Sequence, residues 1–241
     1  MFSRFAGSSM QRNATEARDP EKPAGASDGG AGRWSQLTAI NAAKALTVVL
    51  LLVLAASLGV RDMRQVLYLS LHISYCLWWL LEQWLFPLRR EQLFTERVGP
   101  GGFVTALLFI GVLYALPGLA AFLNPAPIGA GPVALGLGLF IFGSLINATA
   151  DVQKMTAKAL GVGLVADGIW RQVRHVNYLG DLLRYTSFAV VAGLVWAYVV
   201  PALVLLIYLQ RIGQKERQMG AKYEAFAAYQ GRSTRLLPWL W

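Results

Sequence analysis

Long apolar stretches alternate with short polar segments along the chain from about residue 42 onward. Four of these stretches have about the 20 residues that a helix needs to cross the hydrocarbon core of a bilayer. We predict membrane-spanning helices at residues 42–60, 66–85, 103–123 and 128–148. The fourth is rich in glycine, and small residues of this kind let transmembrane helices pack closely.

A further apolar run covers residues 182–209, which is too long for one upright span and too short for two full ones. Gly193 and Pro201 lie inside this run, and both residue types interrupt helices. We therefore predict a tight hairpin of two shortened helices here. The complete chain is then expected to contain five to six membrane-spanning helices.

The C-terminal tail has apolar residues at the spacing of an amphipathic helix. Successive steps of seven, four and three residues separate Ile212, Met219, Tyr223 and Phe226. This period places the four side chains on one helical face, which would lie against the rest of the protein or the membrane surface. The predicted fold class is an all-α integral membrane protein with a cytoplasmic C-terminal amphipathic helix.

The first 39 residues are polar, carry charges of both signs and contain no apolar run. This composition predicts a disordered cytoplasmic tail at residues 1–39, followed by a single membrane domain at residues 40–241. Lysine and arginine concentrate at residues 149–181 and in the C-terminal tail, and these residues mark the cytoplasmic side of a membrane. We expect a bacterial cytoplasmic membrane with the N-terminus and the C-terminal tail in the cytoplasm.

Composition supports insertion into a membrane, because 56% of the residues are hydrophobic and only 15% are charged, against about 25% in soluble domains. We attribute the net charge of +9 to membrane topology. We do not expect nucleic acid as a partner, because no basic stripe is interleaved with exposed aromatic residues. One cysteine, Cys76, and two histidines are too few for a zinc, iron–sulfur or histidine metal site. The expected partners are the lipid bilayer and a lipophilic small molecule.

Polar side chains crowd the segment Arg174-His-Val-Asn-Tyr-Leu-Gly-Asp181, just before the last apolar run. Such groups are costly at membrane depth unless they are paired or face a cavity, so the segment predicts a site. Asn177 favours a helix N-cap, and the free N–H groups of that helix end would attract a phosphate. Arg174 would bind the phosphate and His175 would form a hydrogen bond. The structural alternative is a snorkelling arginine and an interfacial histidine.

The same segment continues as one face of a helix. Asn177, Asp181 and Arg184 share this face, although Asp181 and Arg184 also fit an ordinary ion pair three residues apart. Tyr178 and Tyr185 are candidates for ring stacking or proton donation. Tyrosine is also common at membrane interfaces for reasons unrelated to chemistry, so both interpretations stay open.

A second polar group precedes this segment in the chain. Steps of four, three and four residues separate Asn147, Asp151, Lys154 and Lys158. If the fourth span continues into the cytosol as a helix, these side chains share one face. The lysines would then hold phosphates and the other two would bind hydroxyl or amide groups. The alternative is a solvated helix end whose lysines interact with the helix dipole.

Two ionisable residues, His72 and Glu82, lie within the second predicted span. A carboxyl group at membrane depth indicates a cavity. Once desolvated, such a group favours its protonated form and can donate a proton. The alternative is that Glu82 lies near the membrane interface, where it needs no special role.

These segments together resemble the C-terminal half of the sterol C14/C7 reductases and the steroid 5α-reductase-like membrane proteins. The resemblance rests on Ala150-Asp-Val-Gln-Lys154, Gly168-Ile-Trp170, the segment 174–181, and Lys222-Tyr223 with Arg235-Leu-Leu-Pro-Trp239. It covers about residues 130–241. Both groups resemble members of a wider superfamily that includes isoprenylcysteine carboxyl methyltransferase.

The resemblance implies that residues 130–241 form the cofactor-binding half and hold NADPH. By the family pattern, the pocket would consist of Lys154, Arg174, Asn177, Tyr178, Asp181 and Arg235. The spacing of polar residues adds Asn147, Asp151 and His175 to the candidate cofactor-binding set. The chain departs from the pattern at Val176, where the family has proline, and at Gln214-Lys215, where the reductases have an acidic residue with an arginine.

The leading prediction is a membrane-embedded, NADPH-dependent reductase of a carbon–carbon double bond in a steroid- or isoprenoid-like substrate. Tyr178 and Glu82 are the candidate proton donors. The alternative is an S-adenosylmethionine-dependent methyltransferase of the isoprenylcysteine carboxyl methyltransferase type, in which Arg174, His175 and Glu216 hold the cofactor. A third interpretation is a non-catalytic membrane protein that retains the fold.

Overall fold

The computed structural model describes residues 32–86 and 94–241, and most of these residues are helical. In this part of the chain the helices are α1 Gln36–Leu58, α2 Met63–Leu85, α3 Pro100–Leu123, α4 Ala130–Ala159, α5 Val176–Ala192, α6 Val195–Lys222 and α7 Phe226–Gly231. Helix α3 contains a π-helical turn at Leu107–Val112, and α6 begins with a 3-10 turn at Val195–Tyr198. A separate 3-10 turn at Gly168–Trp170 precedes α5.

The start of the membrane domain is folded where the sequence predicts disorder. Strand β1 (Trp34–Ser35) pairs antiparallel with β2 (Arg97–Val98). The Ser35 hydroxyl caps α1 by accepting the N–H of Thr38 at 3.1 Å, and Ala39 is already buried. The predicted disorder is therefore wrong for residues 32–39, while residues 1–31 lie outside the described chain. The pair of two-residue strands is a small addition to a fold that is mostly helical, as the sequence predicts.

Four of the described helices, α1, α3, α4 and α6, are long and apolar enough to cross a membrane. The protein is therefore an integral membrane protein. Helix α2 is as long as α1, but it buries several polar side chains, and α5 has 17 residues. The total of five to six spans and the orientation in the membrane stay predictions.

The predicted break at Gly193 is confirmed. Gly193 ends α5 with a positive φ of 73°, a backbone conformation that glycine adopts without steric cost. The buried guanidinium of Arg64 packs against it and donates to Val191 O at 2.7 Å, which satisfies a carbonyl of the last helical turn. Pro201 does not break the chain, because it lies near the start of α6, where its missing N–H is tolerated.

The predicted amphipathic tail helix is not a separate element. Helix α6 runs without interruption from the apolar run to Lys222, so Ile212 and Met219 lie on the same helix as residues 199–209. The chain turns at Tyr223, and Phe226 begins the short α7. The prediction of two shortened helices is therefore wrong for α6, because the apolar run and the polar tail share one helical phase.

The core forms where α2 and α5 pack together with α1 and α3. The ring of His72 stacks on Phe188 with centroids 4.3 Å apart, and its Nδ1 lies 2.9 Å from the hydroxyl of Tyr68. His72 is 1% exposed, so this polar residue of the second predicted span belongs to the core. On the other face of α5, α4 makes the most extensive helix–helix contact of the described chain.

Candidate functional site

A cavity of about 730 Å³ opens between the six long helices. This volume lies within the range of about 300–1,000 Å³ that is usual for small-molecule sites. The walls come from all six helices α1–α6, together with Phe94 and Val98. The two ends differ in chemistry: the α4–α6 end, here called the basic end, is cationic, and the α1–α3 end, here called the aromatic end, is aromatic and apolar.

The basic end carries four cationic side chains, Lys154, Lys158, Arg211 and Lys215. The predicted residues Asn147, Asp151, Asn177 and Asp181 line the same part of the cavity. Helix α4 extends to Ala159, so the spacing of its polar residues does place them on one face, as the sequence predicts. The arrangement suits a polyanionic ligand that also offers hydroxyl or amide groups.

The side chains of α4, α5 and α6 contact one another at this end. Asn147 Nδ2 donates to the carbonyl oxygen of Asn177 at 3.1 Å, which joins α4 to the first turn of α5. The Lys215 ammonium lies 4.9 Å from the ring centroid of Tyr178. On α4, the Lys154 ammonium lies 5.4 Å from the ring centroid of Trp170. The two lysine side chains therefore pack against aromatic rings, which keep their charges near the cavity.

An ion pair joins Asp181 and Arg184, and both residues line the cavity. The predicted pairing of these two residues is therefore confirmed. The hydroxyl of Tyr208 on α6 donates to the other carboxylate oxygen of Asp181 at 2.9 Å. Its ring stacks on Tyr178, with centroids 4.1 Å apart and an interplanar angle of 11°. These contacts fix the α5–α6 side of the cavity.

The aromatic end is lined by Trp78, Trp79, Phe94, Phe109 and Ile110. Glu82, a predicted proton donor, also lies on this wall and is 8% exposed. Lys44 and Tyr75 also line the cavity. Lys44 of α1 donates to the hydroxyl of Tyr75 on α2 at 2.7 Å. A lipophilic ligand would find apolar walls here, with a few fixed polar groups.

Three of the predicted cofactor residues lie outside the cavity lining and form one cluster. Glu216 of α6 accepts from Arg174 Nε at 2.8 Å and from Arg235 Nε at 3.1 Å. His175 Nε2 lies 3.6 Å from the same carboxylate. Arg174 also donates to the Ser233 carbonyl oxygen. The structure therefore brings Arg174, His175 and Arg235 together as a clamp that ties the C-terminal segment to α5 and α6.

His175, not Asn177, is the N-cap of α5, so the predicted capping role of Asn177 is wrong. Asn177 lies in the first helical turn and faces the cavity. Burial lowers the pKa of His175 to about 4; Lys215 and Arg174 act in the same direction, and Glu216 opposes them. The imidazole is therefore neutral at pH 7, and it stacks on Tyr178 at a centroid distance of 5.5 Å.

The sequence interpretation missed Lys44, Tyr75 and Tyr208. Lys44 had a signal, because it is a charged residue inside an otherwise apolar span. Nothing in the sequence marks Tyr75 or Tyr208 as functional, since tyrosine is common in membrane helices and its role depends on its partner. Both gain their importance from contacts with residues 31 and 27 positions away in the chain.

A family model described as protein of unknown function (DUF1295) matches residues 103–233, which is more than half of the chain. A curated relative, the Delta(14)-sterol reductase of Arabidopsis thaliana, is 28% identical over 151 residues. The match covers 55% of this chain and 39% of that protein, so the chain spans only about two fifths of its relative's length. The predicted resemblance to the sterol reductases is confirmed.

Proposed function

The chain belongs to the DUF1295 family, and we propose that it is a membrane reductase that uses NADPH to reduce a carbon–carbon double bond in a lipophilic, steroid- or isoprenoid-like substrate. One observation carries the proposal: a cationic end and an aromatic end share one cavity. A dinucleotide and a lipophilic substrate therefore have separate walls and a common space between them. The similarity to a sterol reductase agrees with this division.

The basic end fits the phosphates of NADPH. Lys154, Lys158, Arg211 and Lys215 would bind them, because cations lining a cleft with low-dielectric walls concentrate anionic ligands. Asn147, Asp151, Asn177 and Asp181 would bind the ribose hydroxyls and the carboxamide. When bound, NADPH supplies a hydride. The residues of this chain hold the dinucleotide, orient its reactive end toward the aromatic half and exclude water.

The aromatic end fits the substrate. Its tryptophan and phenylalanine rings offer a large apolar surface to a lipophilic molecule. The candidate proton donors from the sequence lie at opposite ends of the cavity wall, with Glu82 at the aromatic end and Tyr178 at the basic end. A donor must lie within reach of the substrate atom that it protonates, so the meeting point of cofactor and substrate decides between candidates.

The geometry favours NADPH over S-adenosylmethionine. The residues expected to hold the methyl donor, Arg174, His175 and Glu216, contact one another outside the cavity lining. The sulfonium of S-adenosylmethionine is positively charged, and the four cations of the basic end would repel it. The same four cations would attract the phosphates of NADPH.

Cofactor titration tests the proposal. In detergent, we expect wild-type protein to bind NADPH, and Lys154→Ala and Lys215→Ala to weaken binding by about tenfold or more, because a hydrogen bond to a charged group contributes about 1.5–3 kcal/mol. Arg217→Ala is the matched control, since Arg217 lies on α6 beside Lys215, is exposed and is absent from the cavity wall. Binding of S-adenosylmethionine without NADPH binding would refute the proposal.

A further inference from the structure

A chain of polar groups crosses the cavity wall between α1, α2 and α5. Lys44 Nζ lies 2.7 Å from Tyr75 Oη, which lies 2.9 Å from Tyr185 Oη. Lys44 is 3% exposed and Tyr75 is 7% exposed, yet all three residues line the cavity. A buried lysine is costly inside a membrane helix, and such residues mark functional sites when they face a cavity.

Cations and a hydroxyl donor surround the side chain of Tyr75. The Lys44 ammonium donates to that oxygen and lies 3.9 Å from the ring centroid. The Arg184 guanidinium lies 4.3 Å from the same centroid on the α5 side. The Tyr185 hydroxyl can donate the hydrogen bond that joins the two tyrosines. A phenolate formed at Tyr75 during the reaction would therefore accept hydrogen bonds from Lys44 and Tyr185.

We propose that Tyr75 is the general acid of the reduction and that Lys44 is its positioning residue. This inference rests on the proposed function and adds the source of the proton. In a substrate whose double bond is conjugated to a ketone, the β-carbon receives the hydride and the carbonyl oxygen receives the hydroxyl proton of Tyr75. The resulting enol tautomerises to the saturated ketone, and NADPH is oxidised to NADP⁺. The phenolate left on Tyr75 regains a proton from Lys44, which is recharged from solvent through the cavity.

The position of Tyr75 separates it from the other candidates. Tyr178 stacks against His175 and Tyr208 at the basic end. Glu82 lies two helical turns beyond Tyr75, about 10 Å along α2. Tyr75 of α2 contacts Tyr185 and Arg184 of α5, so it joins the wall of the aromatic end to that of the basic end. Neither Tyr75 nor Lys44 falls within residues 103–233, so the family match does not assign them.

A first experiment measures ligand binding without cofactor. The probes are cholest-4-en-3-one and cholest-4-ene, which differ only in a ketone that can accept a hydrogen bond. We expect wild-type protein to prefer the ketone by about tenfold, the worth of one good hydrogen bond, and Tyr75→Phe to lose the preference. Tyr68→Phe is the matched control, because Tyr68 is a buried α2 tyrosine that does not line the cavity.

A second experiment measures NADPH oxidation with the ketone probe. We expect Tyr75→Phe to lower kcat by about 10²–10⁴, the usual contribution of a general acid, with the Kd for NADPH within twofold of wild type. Lys44→Met should lower kcat with little change in KM. If the role of Lys44 were only structural, Lys44→Met would instead reduce the fraction of folded protein. The double variant Lys44→Met/Tyr75→Phe leaves no unpaired ammonium and serves if either single variant unfolds.

The outcomes separate the two proposals. Loss of both ketone preference and kcat in Tyr75→Phe, with Tyr68→Phe unchanged, supports the assignment of Tyr75. Ketone preference that survives in Tyr75→Phe, or a wild-type protein without any preference, overturns it. Ketone binding through Tyr75 without NADPH binding supports the placement of its hydroxyl and refutes the proposed cofactor.

Discussion

The carbonyl oxygen of Gly180 on α5 lies only 2.6 Å from the point where a Cβ at Gly143 on α4 would stand. The reverse also holds, because a Cβ at Gly180 would lie 2.8 Å from the carbonyl oxygen of Gly143. Two glycines thus let the helix backbones touch, as small residues do in membrane helix pairs. One turn further along, Asn147 reaches the backbone of Asn177. The polar faces of α4 and α5 can therefore share one cavity wall.

Gly143→Ala should destabilise the protein by about 1–3 kcal/mol, because the added methyl group would have to push α5 away. Displacement of α5 would also weaken ligand binding at the basic end. Gly138→Ala is the control, since a Cβ there meets nothing within 4 Å. Thermal unfolding in detergent would show the difference, and equal melting temperatures of the two variants would contradict the close contact.

Gly193→Ala should be more harmful than Gly161→Ala. Both glycines have a positive φ, 73° and 79°, which alanine adopts only at a backbone cost of about 1–2 kcal/mol. At Gly193 the new Cβ would also lie 2.2 Å from Nη1 of Arg64, which donates to Val191 O, whereas a Cβ at Gly161 meets nothing within 4 Å. Unfolding temperatures measured side by side test this, and a larger loss for Gly161→Ala would be inconsistent with the Arg64 contact.

Glu216→Ala should destabilise the protein by about 3–5 kcal/mol, because the buried Arg174 guanidinium would lose its carboxylate. Arg235→Ala should cost less than about 1 kcal/mol, since Arg235 is 46% exposed and its ion pair is largely solvated. Glu224→Ala on the exposed surface is the control. The order of the three melting temperatures is the measurement, and a Glu216 variant as stable as the control would rule out a clamp.

Acid should lower the free energy of unfolding of the protein, partly through His175. Its folded-state pKa of about 4 lies below the ordinary value of 6.5, so the unfolded chain binds the proton first as the pH falls. This contribution, on the order of 3 kcal/mol, is present above pH 6.5 and is lost between about pH 6.5 and 4. His175→Asn keeps an N-cap residue without a titrating ring. Melting temperatures should therefore fall less steeply over this range in the variant than in wild type.

Local periodicity made part of the site predictable. The steps between Asn147, Asp151, Lys154 and Lys158 place these residues on one helical face wherever α4 packs, and all four line the cavity. Asn177 and Asp181 follow the same rule on α5. Helical phase is a property of consecutive residues, so the sequence alone is enough to determine it.

The role of the segment around Arg174 was not predictable in this way. Its crowding of polar groups correctly indicated a special region, but the ligand of Arg174 in this structure is Glu216, 42 residues further along the chain. A guanidinium has the same chemistry toward a phosphate and toward a carboxylate. Only the packing of the C-terminal segment against α5 shows which acceptor lies within reach.

By itself, the sequence determined the membrane class, the apolar helices, the helix break at Gly193 and the polar faces of α4 and α5. These features depend on hydropathy, glycine and the helical repeat, all of which act over a few residues. The tertiary structure alone decided that Lys44 meets Tyr75, that Asp181 meets Tyr208, and that α6 continues into the tail. Contacts between distant residues depend on how whole helices pack, which no short window of sequence contains.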